Sequence, residues 1–213
     1  MNKRLNQLLL AALLATVPMV ASAAGDARVD RLTDLVVSAI PLGKVFDHFA
    51  KDDPKWPMQD APDKVTSSQL ACMRSELSTP GYRRAKRDEV AKYIARNRGR
   101  IDRDIEVLDG GAALLMGKLM MAGVEQEMTG VPVDQNALMS EATPAQLAAF
   151  MSFMTAPDFA PLRALAGIGD AFDAGADGEE NEQRGEAAGA DLATRVMLGG
   201  MERCDVPTSI LFN

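Results

Sequence analysis

The chain has 213 residues, of which 23 are Lys or Arg and 30 are Asp or Glu, and its formal net charge is −7. A chain that acidic is not a general binder of nucleic acid or of anionic membrane surfaces. An apolar fraction of 47% excludes global disorder, and the single histidine excludes metal sites built from several imidazoles.

Residues 1–23 read as a secretory signal peptide: Lys3 and Arg4, an apolar run from Leu8 to Val20, then the small residues Ala21, Ser22 and Ala23. Loss of Lys3 and Arg4 takes the net charge from −7 to −9. With no cysteine near the cleavage position, a lipid anchor is not expected. Residues 24–213 are expected to be one helical domain in the periplasm. No later stretch reads as a membrane span, because the best of them, residues 110–124, is short and carries Lys118.

Val29, Leu32, Leu35, Val36 and Ile40 form a helical stripe that Pro41 closes, and Leu42, Val45, Phe46 and Phe49 continue it for another turn or two. His48, beside Asp47 and near an apolar face, has no partner for a nucleophilic triad and reads as structural. Residues 51–64, with Pro54, Pro57, Pro62, many charges and the only tryptophan, Trp56, read as a flexible linker.

Residues 66–82 and 143–159 are two versions of one sentence, TSSQLACMRSELSTPGY and TPAQLAAFMSFMTAPDF. Each opens with a capping box, Thr66 with Gln69 and Thr143 with Gln146, in which hydroxyl and amide satisfy each other's backbone N–H groups. Pro144 suits the first helical position. Leu70, Met73 and Leu77 share one helix face, and Leu147, Phe150 and Met154 repeat it. Pro80 and Pro157 turn the chain, and the aromatics Tyr82 and Phe159 lead the next helix. The second copy is apolar nearly all round, which predicts that it sits mid-bundle with the first nearer the surface. On Thr143, Gln146, Leu147, Phe150, Phe153, Met154, Thr155 and Pro157, the second copy resembles the helix-and-corner motif of a family of small secreted Gram-negative proteins classed as a domain of unknown function. That resemblance implies no catalytic residues.

A long helix is predicted over residues 82–108, with Val90, Tyr93, Ile94, Ile101, Ile105 and Leu108 on its apolar face. Lys92, Arg96, Arg100 and Arg103 recur on another face, and residues 83–103 hold nine cations against three acids. This segregation reads as a solvated face, as an internal match to the chain's acidic segment, or as a site for an anionic protein or envelope component. Asp109, Gly110 and Gly111 mark a kink before a Met-rich helix over residues 112–127. Met116, Met120 and Met121 there suit core packing better than cuprous copper.

A further helix is predicted over residues 162–172. Residues 173–191 hold seven acids and one base and read as a flexible loop. Asp173, Asp177, Gly178, Glu179 and Asn181 fall at calcium-loop offsets, but Gly175 and Arg184 occupy positions that need oxygen ligands. A last helix is predicted over residues 188–203. Cys72 and Cys204, an even pair in an exported chain, are expected to form one disulfide.

The sequence thus predicts an all-α, single-domain helical bundle with two related helix, Pro corner and helix units, strapped by one disulfide. No cofactor, metal or catalytic set is expected. The expected role is a non-enzymatic binding or interaction module. The alternatives are an inhibitor of a cell-envelope enzyme or toxin, and a glycan-cleaving enzyme using a helix-borne acid such as Glu76 or Glu125.

Overall fold

The computed structural model describes residues 18–212 apart from Asp170, and side chains of residues 25–211. Of the signal peptide expected over residues 1–23, residues 1–17 lie outside the described residues, and the backbone of residues 18–23 is helical. Among the described residues the fold is all-α, with no strand and one disulfide.

Helix α1, Pro18–Ala39, buries Val29, Leu32, Leu35, Val36 and Ala39, the stripe that its sequence spacing requires. Thr33 is also fully buried, and its hydroxyl donates to Val29 O, so no polar group is stranded. Helix α2, Leu42–Asp52, follows directly after Ile40 and Pro41. It buries Leu42, Val45 and Phe46, but Phe49 is exposed. Residues 51–64 are better anchored than a flexible linker: Trp56 and Met58 are buried, and the Trp56 ring lies 5.4 Å from that of Phe46. The peptide between Trp56 and Pro57 is cis.

Both copies of the repeated sentence begin as read. Helix α3, Ser67–Leu77, and helix α8, Pro144–Thr155, each carry a complete capping box, with Pro144 in the first turn of α8. Their corners differ. Ser78 caps helix α4, Thr79–Arg96, directly, whereas Pro157–Phe159 forms a 3-10 turn before helix α9, Ala160–Ala166. Tyr82 and Phe159 are both buried. The expected difference in placement, with the second copy central and the first nearer the surface, is not found: each helix buries two side chains. In α3, Met73 and Leu77 are fully covered, while in α8 Phe150 and Phe153 are buried but Met151 is 49% exposed. Apolar character all round does not make α8 central: it packs chiefly on the kink after Val107 and on the helices that flank that kink.

The helix expected over residues 82–108 is two helices. Asn97 ends α4, donating its side-chain amide to Tyr93 O, and a turn through Gly99 leads into α5, Ile101–Val107. A π turn, Leu108–Ala112, realises the expected kink, with Gly111 at φ 130°. A Cβ there would lie 2.6 Å from Gln146 Cγ, so a larger residue is opposed by both conformation and space. Helix α6, Ala113–Thr129, continues, and Gly117 brings it onto α1 so closely that a Cβ would lie 2.2 Å from Ser38 O. Ile101–Thr129 together is long and apolar enough to cross a membrane by length and composition, contrary to the sequence expectation. Its inner face, including Leu108, Ala112 and Ala113, belongs to the core that α1 and α8 complete.

After helix α7, Gln135–Ser140, the second copy and α9, the helix expected to reach residue 172 stops at Gly167, φ 93°. The acidic segment is the largest departure. Helix α10 spans Gly178–Arg203, so most of the expected loop is helical. Asp177 caps its first turn and Glu179 and Glu180 favour its positive end. Pairs four residues apart, Glu180 with Arg184 and Asp191 with Arg195, support it against its glycines.

The tail returns to α3. Cys72 and Cys204 are bonded with Cα atoms 5.7 Å apart, across a sequence separation of 132. Closing so long a loop removes roughly 5 kcal/mol of unfolded-chain entropy. The amide of Gln69, whose oxygen completes the capping box, also donates to Asp205 O at 2.7 Å, and Val206 is buried beside this join.

Candidate functional site

The basic segment is mostly committed to the protein's own acids. Along α4, Arg83 pairs with Asp34 at 2.6 Å and Arg87 with Asp30 at 2.8 Å, which joins α4 to α1. These pairs are exposed to solvent, which screens them, so they add little to stability. Asp30 is held below the usual carboxylate range, chiefly by its hydrogen bond from Arg87. Arg100, the residue just before α5, reaches Asp104 on that helix with Nε at 3.1 Å and Nη2 at 3.0 Å. Asp104 is 0% exposed and also accepts from the Tyr93 hydroxyl at 2.7 Å. Burial, followed by this bond to Asp104, pushes the Tyr93 phenol up. Arg100 further donates to Asp158 O, and Arg103 pairs with the Asp158 carboxylate at 2.5 Å while lying 4.8 Å over the Phe159 ring.

The four residues expected to share one face are therefore divided. Arg100 and Arg103 clamp α5 to the second corner, on a different helix from Lys92 and Arg96. Lys92 and Arg96 are exposed near the end of α4. The internal acid partners of the basic segment are Asp26, Asp30, Asp34, Glu76, Glu89, Asp104 and Asp158.

A cleft of ≈ 740 Å³ lies between α4, the end of α9 and α10. Its size is that of a small-molecule site. Small residues open it: Ala85 on α4, Ala164 and Gly167 on α9, and Ala187, Ala188 and Gly199 on α10. Gly167 also fixes the approach of the two walls, since a Cβ there would lie 2.6 Å from Leu192 Cδ1. Ile168, Leu192 and Val196 supply larger apolar surface.

Two polar side chains of α4 stand on this cleft at core positions. Lys86 is 3% exposed, and its ammonium donates to Glu89 at 2.7 Å and to Leu165 O at 3.2 Å. An ammonium has three hydrogens to donate, so these two bonds leave one. One turn earlier, Tyr82 is 1% exposed, and its hydroxyl is buried with no hydrogen-bond partner. Burial, followed by the charge of Glu89, pushes this phenol up, so it stays a donor. A buried hydroxyl without a partner costs about 1–3 kcal/mol, and native proteins hold few of them. The arginines at the cleft are already engaged: Arg195 with Asp191, Arg203 with Glu76, and Arg184 with Glu180.

Sequence reasoning missed this pair by starting the α4 stripe at Val90. Extended back to the corner it reads Tyr82, Lys86, Val90 and Tyr93, a helical face with a lysine in a core place. An amine there calls for partners.

The other sequence candidates are placed as follows. Burial raises the Glu76 carboxyl, but bonds from Arg203 and Arg84 outweigh it and hold the group below its ordinary value, the reverse of what a general acid needs. Glu125 lies in a smaller recess of ≈ 540 Å³ with Lys44, Asp47, His48 and Met128, and His48 sits 3.2 Å from Asp52 at the surface. Met116, Met120 and Met121 pack against the core. In the calcium-like segment Asp177 accepts from Glu180 N and Asp173 from Gly175 N, as cap and turn. Among the described residues no three His, Cys, Asp or Glu side chains are grouped to hold a metal ion.

No family model, curated protein or solved structure matches this chain.

Proposed function

We propose that this is an exported, non-enzymatic binding protein, and that its ligand site is the cleft between α4, α9 and α10. The observation that carries this reading is the Tyr82 hydroxyl: a phenol buried beside an apolar cleft, without a partner, is a cost that packing alone would avoid with phenylalanine. Lys86, buried next to it with a donor to spare, adds a second group of the same kind. Export accords with the disulfide, which an oxidising compartment such as the periplasm sustains.

Filling the cleft tests the reading. Ala188→Trp places a large side chain between α4 and α10. Small molecules extracted from a periplasmic fraction should raise the unfolding midpoint of the wild-type protein and leave that of a folded Ala188→Trp variant unmoved. Equal shifts in both proteins, or none in either, would remove the cleft from consideration.

Lys92 and Arg96 favour a second contact, with an anionic protein or envelope component, because they face solvent while their neighbours Arg83, Arg87 and Arg100 are paired. Capture of such a partner should weaken with rising salt.

A further inference from the structure

We infer that the ligand of the cleft is a small monocarboxylate with an apolar tail, its head held by Lys86 Nζ and the Tyr82 hydroxyl. The inference rests on the reading of the cleft as the ligand site and adds the chemistry of what enters it. Both polar groups are donors from successive turns of one helix, and each has one hydrogen uncommitted. Two donors match the two oxygens of a carboxylate. The arginines beside the cleft are already charge-balanced by Asp191, Glu76 and Glu180, so they offer a multiply charged phosphate or sulfate no unbalanced positive charge. Glu89 and Asp191, both on the cleft, further disfavour a polyanion.

A cationic head would meet the Lys86 ammonium, and an uncharged alcohol would forgo the charge-assisted bond. The walls then set the rest of the molecule: Ala164, Ile168, Ala188, Leu192 and Val196 offer hydrocarbon and few hydrogen bonds. The Tyr82 hydroxyl is covered by its neighbours, so an entering head group displaces them to reach it. That requirement makes the hydroxyl a test of depth of binding, which surface adsorption on the rim arginines would not engage.

Titration calorimetry with octanoate, octanol and octylamine on the full disulfide-bonded chain decides the matter. Octanoate should bind at least about tenfold more tightly than either counterpart, as a hydrogen bond to a charged group predicts. Tyr82→Phe should weaken octanoate roughly tenfold, while its unfolding midpoint in the absence of ligand stays equal or rises. A structural hydroxyl would give the opposite pairing, with lower stability and unchanged affinity. Lys86→Met should weaken octanoate and reduce its preference over octanol; if that variant does not fold, Tyr82→Phe decides alone. Octanol or octylamine binding as well as octanoate, or octanoate affinity unchanged in Tyr82→Phe, would overturn the carboxylate inference. If Ala188→Trp still abolished binding in that case, the cleft would stand as a site for other chemistry. Failure of all three probes together with indifference to Ala188→Trp would remove both.

Discussion

Replacing Phe159 by alanine tests whether the repeated sentence builds a structural anchor. Phe159 is 4% exposed at the end of the second corner, in the same core as Leu162 and Ala166, with Arg103 over its ring. An aromatic side chain buries about 150–250 Å². At about 25 cal/mol per Å² that is about 4–6 kcal/mol of transfer free energy, of which the methyl left by alanine retains a part. The cavity adds a cost, and a lost cation–π contact at a half-exposed arginine adds about 0.5–1 kcal/mol. Relaxation of the short helix α9 subtracts, and measured Phe→Ala changes in cores centre on about 3–5 kcal/mol. Urea unfolding of the disulfide-bonded protein, followed by far-ultraviolet circular dichroism, should show the unfolding free energy falling by that amount, through a lower midpoint at constant slope. Thermal unfolding should drop by roughly 6–20 °C for a chain of this size. Phe159→Leu, which keeps most of the volume, should recover over half of the loss. A change below about 1 kcal/mol would mean that the ring is not an anchor, and the alignment of the two copies would then carry no structural meaning.

Three other outcomes follow from the same geometry. Arg100→Glu should destabilise by several kcal/mol, of the order of about 3–5 for breaking a buried pair, because Asp104 would lose its partner and gain a like charge; Lys92→Glu and Arg96→Glu should each stay within about 0.5 kcal/mol, and equal effects at all three positions would show that the stripe is uniform surface. Glu76 carries a lowered pKa, so its contribution is present above its ordinary value of 4.5 and is lost as pH falls below it; stability should therefore decline on acidification through that range, Glu76→Gln should flatten the decline, and an unchanged profile in that variant would refute the assignment. Cys72 and Cys204 should resist alkylation in the denatured protein until a reductant is added, and reduction should lower stability by about 2–5 kcal/mol; full labelling without reductant would contradict the bond.

Local signals were legible, and their tertiary consequences were less so. The capping boxes, the Pro corners, the α1 stripe and the kink at Gly111 are short-range chemistry, written within a few residues of where they act. The break at Asn97 was missed because the apolar period continues through it; only Gly99 and a side-chain bond from Asn97 to Tyr93 O interrupt an otherwise helical pattern. The acidic segment was misread for the opposite reason. Its glycines and charge suggest a loop, but the Asp177 cap and the pairs four residues apart are also present in the letters, and they decide. The spacing of Lys92, Arg96, Arg100 and Arg103 assumes one unbroken helix, so the error at Asn97 propagated directly into the candidate site. The cleft itself joins residues 82–89 to residues 164–203, and no local pattern reports such a meeting.

The two copies of the repeated sentence separate architecture from function within one molecule. In both, a capped helix is followed by a corner whose proline stands two residues before an aromatic side chain that enters the core, so burial of the ring is the shared task. Phenylalanine performs it at residue 159, under Arg103 and with nothing polar to satisfy. Tyrosine performs it at residue 82, where the added oxygen finds no partner in the protein. The first copy also contributes more than its corner: Gln69 and Cys72 hold the tail, and Glu76 holds Arg203 at the edge of the cleft. These ties join the C-terminal end of α10 to α3, on the side of the cleft opposite Tyr82 and Lys86. The second copy serves as an internal control for what the motif needs, and the hydroxyl is what remains after that need is met. On the proposed reading, a group that folding does not use, set beside a cleft, is there for whatever the cleft receives.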